Sequence, residues 1–304
     1  MKREAITVKN LSYKYPDGSK ALEDVNMEMY EGERIVIVGP NGAGKTTFML
    51  HLNGTLHGTE GQIEIFGKSV DKMKRAEIVK EVGMVFQDPD DQLFMPTIFD
   101  DIAFGPINMG LKEDEVRERV EKAISSLGLS GFEDRAPHHL SFGEKKKASL
   151  AAVMAMEPRI LVLDEPTANL DPSSRTELIA ILNDLNKREG ITMVIATHDV
   201  NAIPELADRI YALNRTIIET GTPREIFFNG NLLKQNKLDV PDVFKLFDVM
   251  RCFGFNCDKL PLSLDEAVSG LTKVIETGGG HIHLHIHEHT HDEVKKWREK
   301  YGYH

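Results

Sequence analysis

The chain has 304 residues, 41 % of them hydrophobic, which suits one large domain with an appendage and is too few apolar residues for a membrane protein. A formal charge of -11, from 37 basic and 48 acidic residues, argues against a nucleic-acid binder with its basic face. No apolar run approaches the roughly 18 residues that span a bilayer, and Met1 to Glu4 lead into a strand pattern without an apolar leader, so a cytosolic chain is expected.

In chain order, residues 5–11, 34–38 and 63–66 read as strands. Residues 159–163 and 191–196 are further short apolar runs, suited like 34–38 to strands buried on both faces. Residues 113–127 and 173–187 carry helical patterns between them. Strands alternating with helices predict an α/β fold with a largely parallel sheet over residues 1–230. The texture then changes. Residues 241–253 and 263–276 read as amphipathic helices, the second with a Ser263–Glu266 capping box. Three glycines at 278–280 precede an alternating strand at 281–289 and a last helix from Thr290 to about Lys300. A small α+β domain is expected at 231–304. The two cysteines, Cys252 and Cys257, read as a reduced pair.

Residues Gly39-Pro40-Asn41-Gly42-Ala43-Gly44-Lys45-Thr46 match G-x-x-x-x-G-K-[ST], after a strand and before a helical pattern at 47–52. Glycines let several backbone N–H groups point at phosphate oxygens, and the helix N-terminus adds partial positive charge. Lys45 brings a full charge to the β- and γ-phosphates, and Thr46 offers its hydroxyl to Mg²⁺. A second element, Ile160 to Glu165, ends a buried strand in two carboxylates. Asp164 is a candidate Mg²⁺ partner, and Glu165 a candidate base for an attacking water. The rival readings are a glycine-rich turn and acidic residues that simply end a strand.

Between these elements, Leu140-Ser141-Phe142-Gly143-Glu144 resembles the LSGGQ signature of ABC-type ATPases. Gln87 looks like the family's Q-loop glutamine, Ala168 to Asp171 like its D-loop, and His198 like its switch histidine. Tyr15 stands where the family stacks an aromatic ring on adenine. Taken singly, Tyr15 is also plausible as surface packing, and Gln87 and His198 as polar loop residues. The resemblance implies a P-loop ABC ATPase domain with a helical subdomain at about 88–155. It also implies two domains packed head to tail around two ATP molecules, with Mg²⁺ at Thr46, Gln87 and Asp164 and Thr47 completing the phosphate cradle. Ser141 and Gly143 of one domain would face the Lys45 loop of the other. Asp171 would couple the two sites. His198 would contact the γ-phosphate and help hold Glu165 and the water in line. Phe142 and Glu144 depart from the consensus glycine and glutamine, and Glu144 is given no contact.

The stretch from Gln87 through Leu93 and Phe94 to Pro106 resembles the energy-coupling-factor importers, including those for cobalt and nickel. The resemblance implies a second ATPase subunit, either this chain again or a paralogue, with the complete set of motifs favouring a homodimer; a transmembrane coupling subunit whose helix sits in a groove of Leu93, Phe94 and Met95, unless these form a plain core turn; a substrate-binding membrane subunit; and a peripheral place on the cytoplasmic face of the cell membrane. Vitamin cargo, or a soluble ABC ATPase that remodels protein or nucleic-acid complexes, are the alternatives. Finally, His281, His283, His285, His287 and His289, with His291 beyond, recur at a period of two. On a strand they share one face, about 6–7 Å apart, with Ile282, Leu284 and Ile286 opposite and packed on helices. That face is either a Ni²⁺ or Co²⁺ store or sensor, or a solvated surface with incidental metal affinity.

Overall fold

The computed structural model of the chain describes residues 3–236, 238–255, 259–277, 284 and 290–301. The backbone forms two compact units. One runs to Asp199 and resumes over Leu206–Thr222; the other joins Val200–Glu205 to the residues from Pro223 onward.

The first unit is built on strands β1 (Glu4–Lys14), β2 (Lys20–Tyr30), β3 (Arg34–Val38), β4 (Glu60–Ile65), β5 (Lys68–Ser69), β6 (Val82–Val85), β7 (Ile160–Asp164), β8 (Thr192–Ala196), β9 (Arg209–Asn214) and β10 (Thr216–Gly221). Six of them form one sheet in the order β10-β9-β3-β8-β7-β6. Within it β9, β3, β8, β7 and β6 are parallel, and β10 closes an edge antiparallel to β9. Every residue of β7 and β8 is buried, as is β3 beyond Arg34. Covered on both faces, such strands are continuous Val/Ile/Leu runs. The other four strands form a separate antiparallel sheet, β2-β1-β4-β5, which the sequence patterns did not set apart. In it Ile6 faces Ile65, and Val8 faces Ile63. On β2, Val25, Met27 and Met29 point into the core, while Asn26 and Glu28 face solvent, the period-two pattern of a sheet wet on one side.

Helices α1 (Lys45–Leu52), α2 (Arg75–Glu81), α3 (Ile98–Asn108), α4 (Glu113–Ser126), α5 (Phe142–Met154), α6 (Pro172–Glu189) and α7 (Ile203–Leu206) follow in chain order. Their ends are set by local chemistry. Thr97 accepts the Asp100 N–H at 3.1 Å to start α3. Asp171 accepts the Ser173 and Ser174 N–H groups to start α6, with Pro172 in its first turn.

Among the described residues the second unit is helical: α8 (Pro223–Phe228), α9 (Gly230–Asn236), α10 (Asp242–Arg251), α11 (Leu264–Thr277) and α12 (Thr290–Tyr301). Its core holds Phe227, Phe244, Phe247, Phe255 and Leu260. The expected capping box at α11 is half formed. Ser263 accepts the Glu266 N–H at 3.2 Å, but the Glu266 carboxylate takes the Leu262 N–H at 2.9 Å, drawn there by Arg224 at 2.8 Å. The five histidines of the strand expected at 281–289 lie outside the described residues, as do Cys257 and the glycines at 278–280. Leu284 is described. It is 53 % exposed.

Strand β8 is central to the parallel sheet, and Ile195 within it is fully buried. Ile195→Ala is expected to cost roughly 2–5 kcal/mol through lost burial and a residual cavity. Urea unfolding measures this, and an unchanged midpoint would contradict the packing described.

Candidate functional site

Four neighbouring strands, β3, β8, β7 and β6, end at one edge of the parallel sheet. Ligands of α/β sheets bind outside such carboxyl ends. At these ends lie the Gly39–Gly44 loop, Thr197 with His198, Asp164 as the last residue of β7 with Glu165 after it, and Phe86 with Gln87. They surround a cleft of about 560 Å³ lined by Tyr15, Asn41 to Thr47, Gln87, Asp164, Glu165 and His198, together with Ser19, Lys20 and Ala21.

The loop is held in shape by backbone conformation. Gly44 sits at φ +96°, and a Cβ there would lie 2.6 Å from the Ala21 carbonyl. Helix α1 starts at Lys45 with no acidic side chain in its first turn, which leaves the positive end of the helix open to an anion. Lys45 folds back, donating from Nζ to the Gly39 carbonyl at 2.8 Å and to the Pro40 carbonyl at 3.4 Å. The Tyr15 hydroxyl meets Thr47 Oγ1 at 2.7 Å. Its ring stands edge-on to Tyr13 at 5.1 Å, and Tyr13 stands edge-on to buried His51 at 4.8 Å. Tyr15 itself is 39 % exposed.

Thr46 Oγ1 donates to Asp164 Oδ2 at 2.8 Å. Burial raises the Asp164 carboxyl above its usual range, against the Thr46 hydrogen bond that lowers it. A hydroxyl and a carboxylate oxygen side by side form a hard-oxygen donor set that fits Mg²⁺, and a cation there would relieve the buried carboxylate. Glu165 is buried and adopts φ +48°, the left-handed region that non-glycine residues rarely hold. Its N–H donates to the Ala196 carbonyl at 2.9 Å. Its Oε2 accepts the His198 N–H at 3.2 Å and lies 2.9 Å from His198 Nδ1.

Ser141, Gly143 and Asp171 do not line this cleft. They meet at the starts of α5 and α6. The Glu144 carboxylate accepts the Ser141 N–H and hydroxyl, both at 2.7 Å, and the Glu144 N–H donates to Ser141 Oγ at 3.4 Å. These hydrogen bonds lower the Glu144 carboxyl. The carboxylate at the departed signature position thus closes a reciprocal helix cap. A Cβ at Gly143 would come within 2.8 Å of Ser174 Oγ, which donates to Asp171 Oδ2 at 2.5 Å. Gly143 therefore has a packing reason as well.

Some participants escaped the sequence reading. Lys146, inside the run Lys145-Lys146-Lys147, is buried and donates to the Gln87 and Glu165 carbonyls. Burial pulls its ammonium down to about 8, while the Asp88, Asp164 and Glu165 carboxylates oppose the shift. Helical spacing was the available signal, since Lys146 shares a face with Phe142, Ser149 and Val153. Asp199, beside His198, makes a bidentate pair with Arg175 of α6 at 2.6 and 3.0 Å. Ser19, Lys20 and Ala21 reach the cleft with no pattern to announce them. Of the expected docking residues, Leu93 is buried in the core, whereas Phe94 is 63 % exposed. Phe104 and Ile107 of α3 are also exposed, and the Phe94 and Phe104 rings meet edge-on at 5.0 Å. Buried Asp101 holds this turn by accepting the Phe94 and Met95 N–H groups, each at 3.0 Å. Among the described residues no group of three or more His, Cys, Asp or Glu could hold a metal, and no helix is long and apolar enough to cross a membrane.

A family profile for ABC transporters matches residues 22–168. The chain is 47 % identical to the energy-coupling factor transporter ATP-binding protein EcfA of Methanothermobacter thermautotrophicus, over 89 % of this chain and 87 % of that one. It is 48 % identical to the EcfA of Carboxydothermus hydrogenoformans, over 80 % and 90 %. Among solved structures it is similar to cbiO1 from Clostridium perfringens, described as part of the ABC transporter complex cbiONQ, with a TM-score of 0.70, 38 % identity, and coverage of 81 % and 99 %. It is also similar to an ATP-binding cassette in a dimeric post-hydrolysis state bound to ADP and Pi, with a TM-score of 0.65 and 27 % identity over 72 % and 99 %.

Because Glu144 caps α5 and stays outside the cleft, Glu144→Ala is expected to lower stability by about 0.5–2 kcal/mol. Nucleotide binding by the single chain should be unchanged. Urea unfolding and a titration with a fluorescent ADP analogue check both parts. Weakened binding at full stability would contradict the capping role.

Proposed function

The chain belongs to the ATP-binding proteins of energy-coupling factor transporters, within the ABC transporter ATPases, and on that premise we propose that it powers a membrane importer for Co²⁺ or Ni²⁺. It is an ATPase. The observation that carries the reading is the convergence of the Lys45 loop, the Thr46–Asp164 pair and the Glu165–His198 pair at one sheet edge.

In this proposal Tyr15 stacks on the adenine ring, and the backbone from Gly39 to Thr47 cradles the phosphates. Lys45 leaves the Gly39 and Pro40 carbonyls for the β- and γ-phosphates. Thr46 and Asp164 would hold Mg²⁺, with Gln87 at the same cleft, and the ion would supply charge neutralisation for the phosphates. Glu165 takes a proton from the water whose oxygen attacks the γ-phosphorus, ADP departs, and His198 keeps Glu165 and the phosphate in line. Positioning and fixed charge supply most of the acceleration.

Ser141, Gly143 and Asp171 lie away from this cleft, which supports a homodimer in which each chain offers them to the other's nucleotide. The start of α5, with Ser141 at its cap, then presents a helix N-terminus to the γ-phosphate. Phe94, Phe104 and Ile107 form an exposed apolar patch suited to a short amphipathic helix of a transmembrane coupling subunit. That contact would hold the chain at the cytoplasmic face of the cell membrane, with cargo chosen by a separate membrane subunit. The cobalt or nickel assignment is supported by the likeness to cbiO1 and by the histidine repeat from His281 to His291.

The test is radiotracer uptake of Co²⁺ and Ni²⁺ by cells whose only copy carries Glu165→Gln. Hydrolysis is expected to fall roughly 10²-fold or more with ATP binding retained, and uptake of one of the two metals to be lost. Unchanged uptake of both would overturn the metal assignment and favour another cargo, such as a vitamin.

A further inference from the structure

Helix α5 carries three consecutive lysines with different fates. Lys145 and Lys147 pair with Asp90 at 2.7 Å and Glu177 at 2.9 Å. Lys146 turns inward and is 2 % exposed. A buried ammonium carries a desolvation cost, so its hydrogen bonds decide whether the site is tenable. Its Nζ donates to the Gln87 carbonyl at 2.6 Å and to the Glu165 carbonyl at 3.2 Å. Those carbonyls follow the ends of β6 and β7, adjacent strands of the parallel sheet. An apolar side chain at 146 would leave both without this donor.

The two carbonyls matter because of what their residues do. Glu165 stands at φ +48°, a conformation that persists only where surrounding contacts over-determine it. Its N–H is fixed by the Ala196 carbonyl, and its own carbonyl accepts both Lys146 Nζ and the Ala168 N–H, each at 3.2 Å, so that Lys146 is what ties it to α5. Gln87 opens the loop that ends at exposed Phe94. A second tie runs beside the first: Gln92 accepts the Phe86 N–H at 3.2 Å and donates to the Ser149 carbonyl of α5 at 2.9 Å.

We propose that Lys146 is a positioning residue whose ammonium clamps the Gln87 and Glu165 carbonyls to α5, so that the Gln87 loop, the Glu165 carboxylate and the Ser141 end of α5 move as one body. The proposal deepens the reading above and rests on Glu165 as the base. A push on the exposed loop then reaches Glu165 through two hydrogen bonds, without passing through the nucleotide.

The test uses the purified full chain, with steady-state ATP hydrolysis, ADP and ATP titrations, and urea unfolding on each variant. Lys146→Met keeps length and loses the donors; Lys146→Gln keeps an amide donor. Lys146→Met is expected to lower kcat by roughly tenfold to a hundredfold, as sub-ångström misplacement of a reacting group does. The nucleotide Kd should stay within about threefold, since the cradle is untouched. Lys146→Gln should recover part of the loss. Parental kcat in both variants, with stability lowered alike, would overturn the proposal. If Lys146→Met does not fold, Lys146→Gln decides alone: a reduced kcat at parental Kd supports the clamp, and a parental kcat removes it. Glu165→Gln run in parallel separates the two readings. Turnover retained there sinks the role of Glu165; turnover lost there with parental kcat at Lys146→Met sinks only the clamp.

Discussion

The site depends on one contact, the hydrogen bond from Thr46 to Asp164. It joins the first turn of α1 to the end of β7, two segments 118 positions apart. The contact is possible because β3 and β7 flank β8 in the same direction, so the loop after β3 and the carboxylates after β7 open on one edge. A parallel sheet with both faces covered imposes that arrangement, and the price of burying Asp164 is met where a hydroxyl and a cation can share its charge.

Much of this was legible beforehand. The run 34–38 coincides with β3, and 113–127 and 173–187 fall within two residues of α4 and α6. Buried parallel strands and capped helices leave strong local patterns. What stayed hidden depended on distant partners. The antiparallel sheet pairs β1 with both β2 and β4, and alternation alone does not say which strands meet. Lys146 drew no reading from the sequence, because its burial is set by carbonyls 59 and 19 positions away. Leu93 was expected to share a groove with Phe94 and Met95 or to sit in a core turn, and the turn held by Asp101 leaves it buried while Phe94 is exposed. Glu144 had no legible role until Ser141 was seen to return its hydrogen bonds.

In the proposed function the same geometry makes one chain half of an enzyme. The cleft gathers the Gly-rich loop, the Thr46–Asp164 pair and Glu165, while Ser141, Gly143 and Asp171 meet away from it. Asp199 links the His198 turn to α6, whose cap is Asp171, and Lys146 links α5 to Gln87 and Glu165. Each half-site is therefore braced to the other's counterpart within a chain. In the proposed homodimer, closure of two copies would register at both clefts together, and the apolar patch at Phe94 would give that motion an outlet.

The central claim, that catalysis is shared between two copies, is tested most directly by complementation. Glu165→Gln and Ser141→Arg chains are prepared separately, each expected to be inactive alone, then mixed in equal amounts with ATP and Mg²⁺. A mixed pair contains one site with an intact Glu165 facing an intact Ser141, so the account predicts that mixing restores hydrolysis. A mixture no more active than its components, or a Ser141→Arg chain that is active by itself, would contradict it.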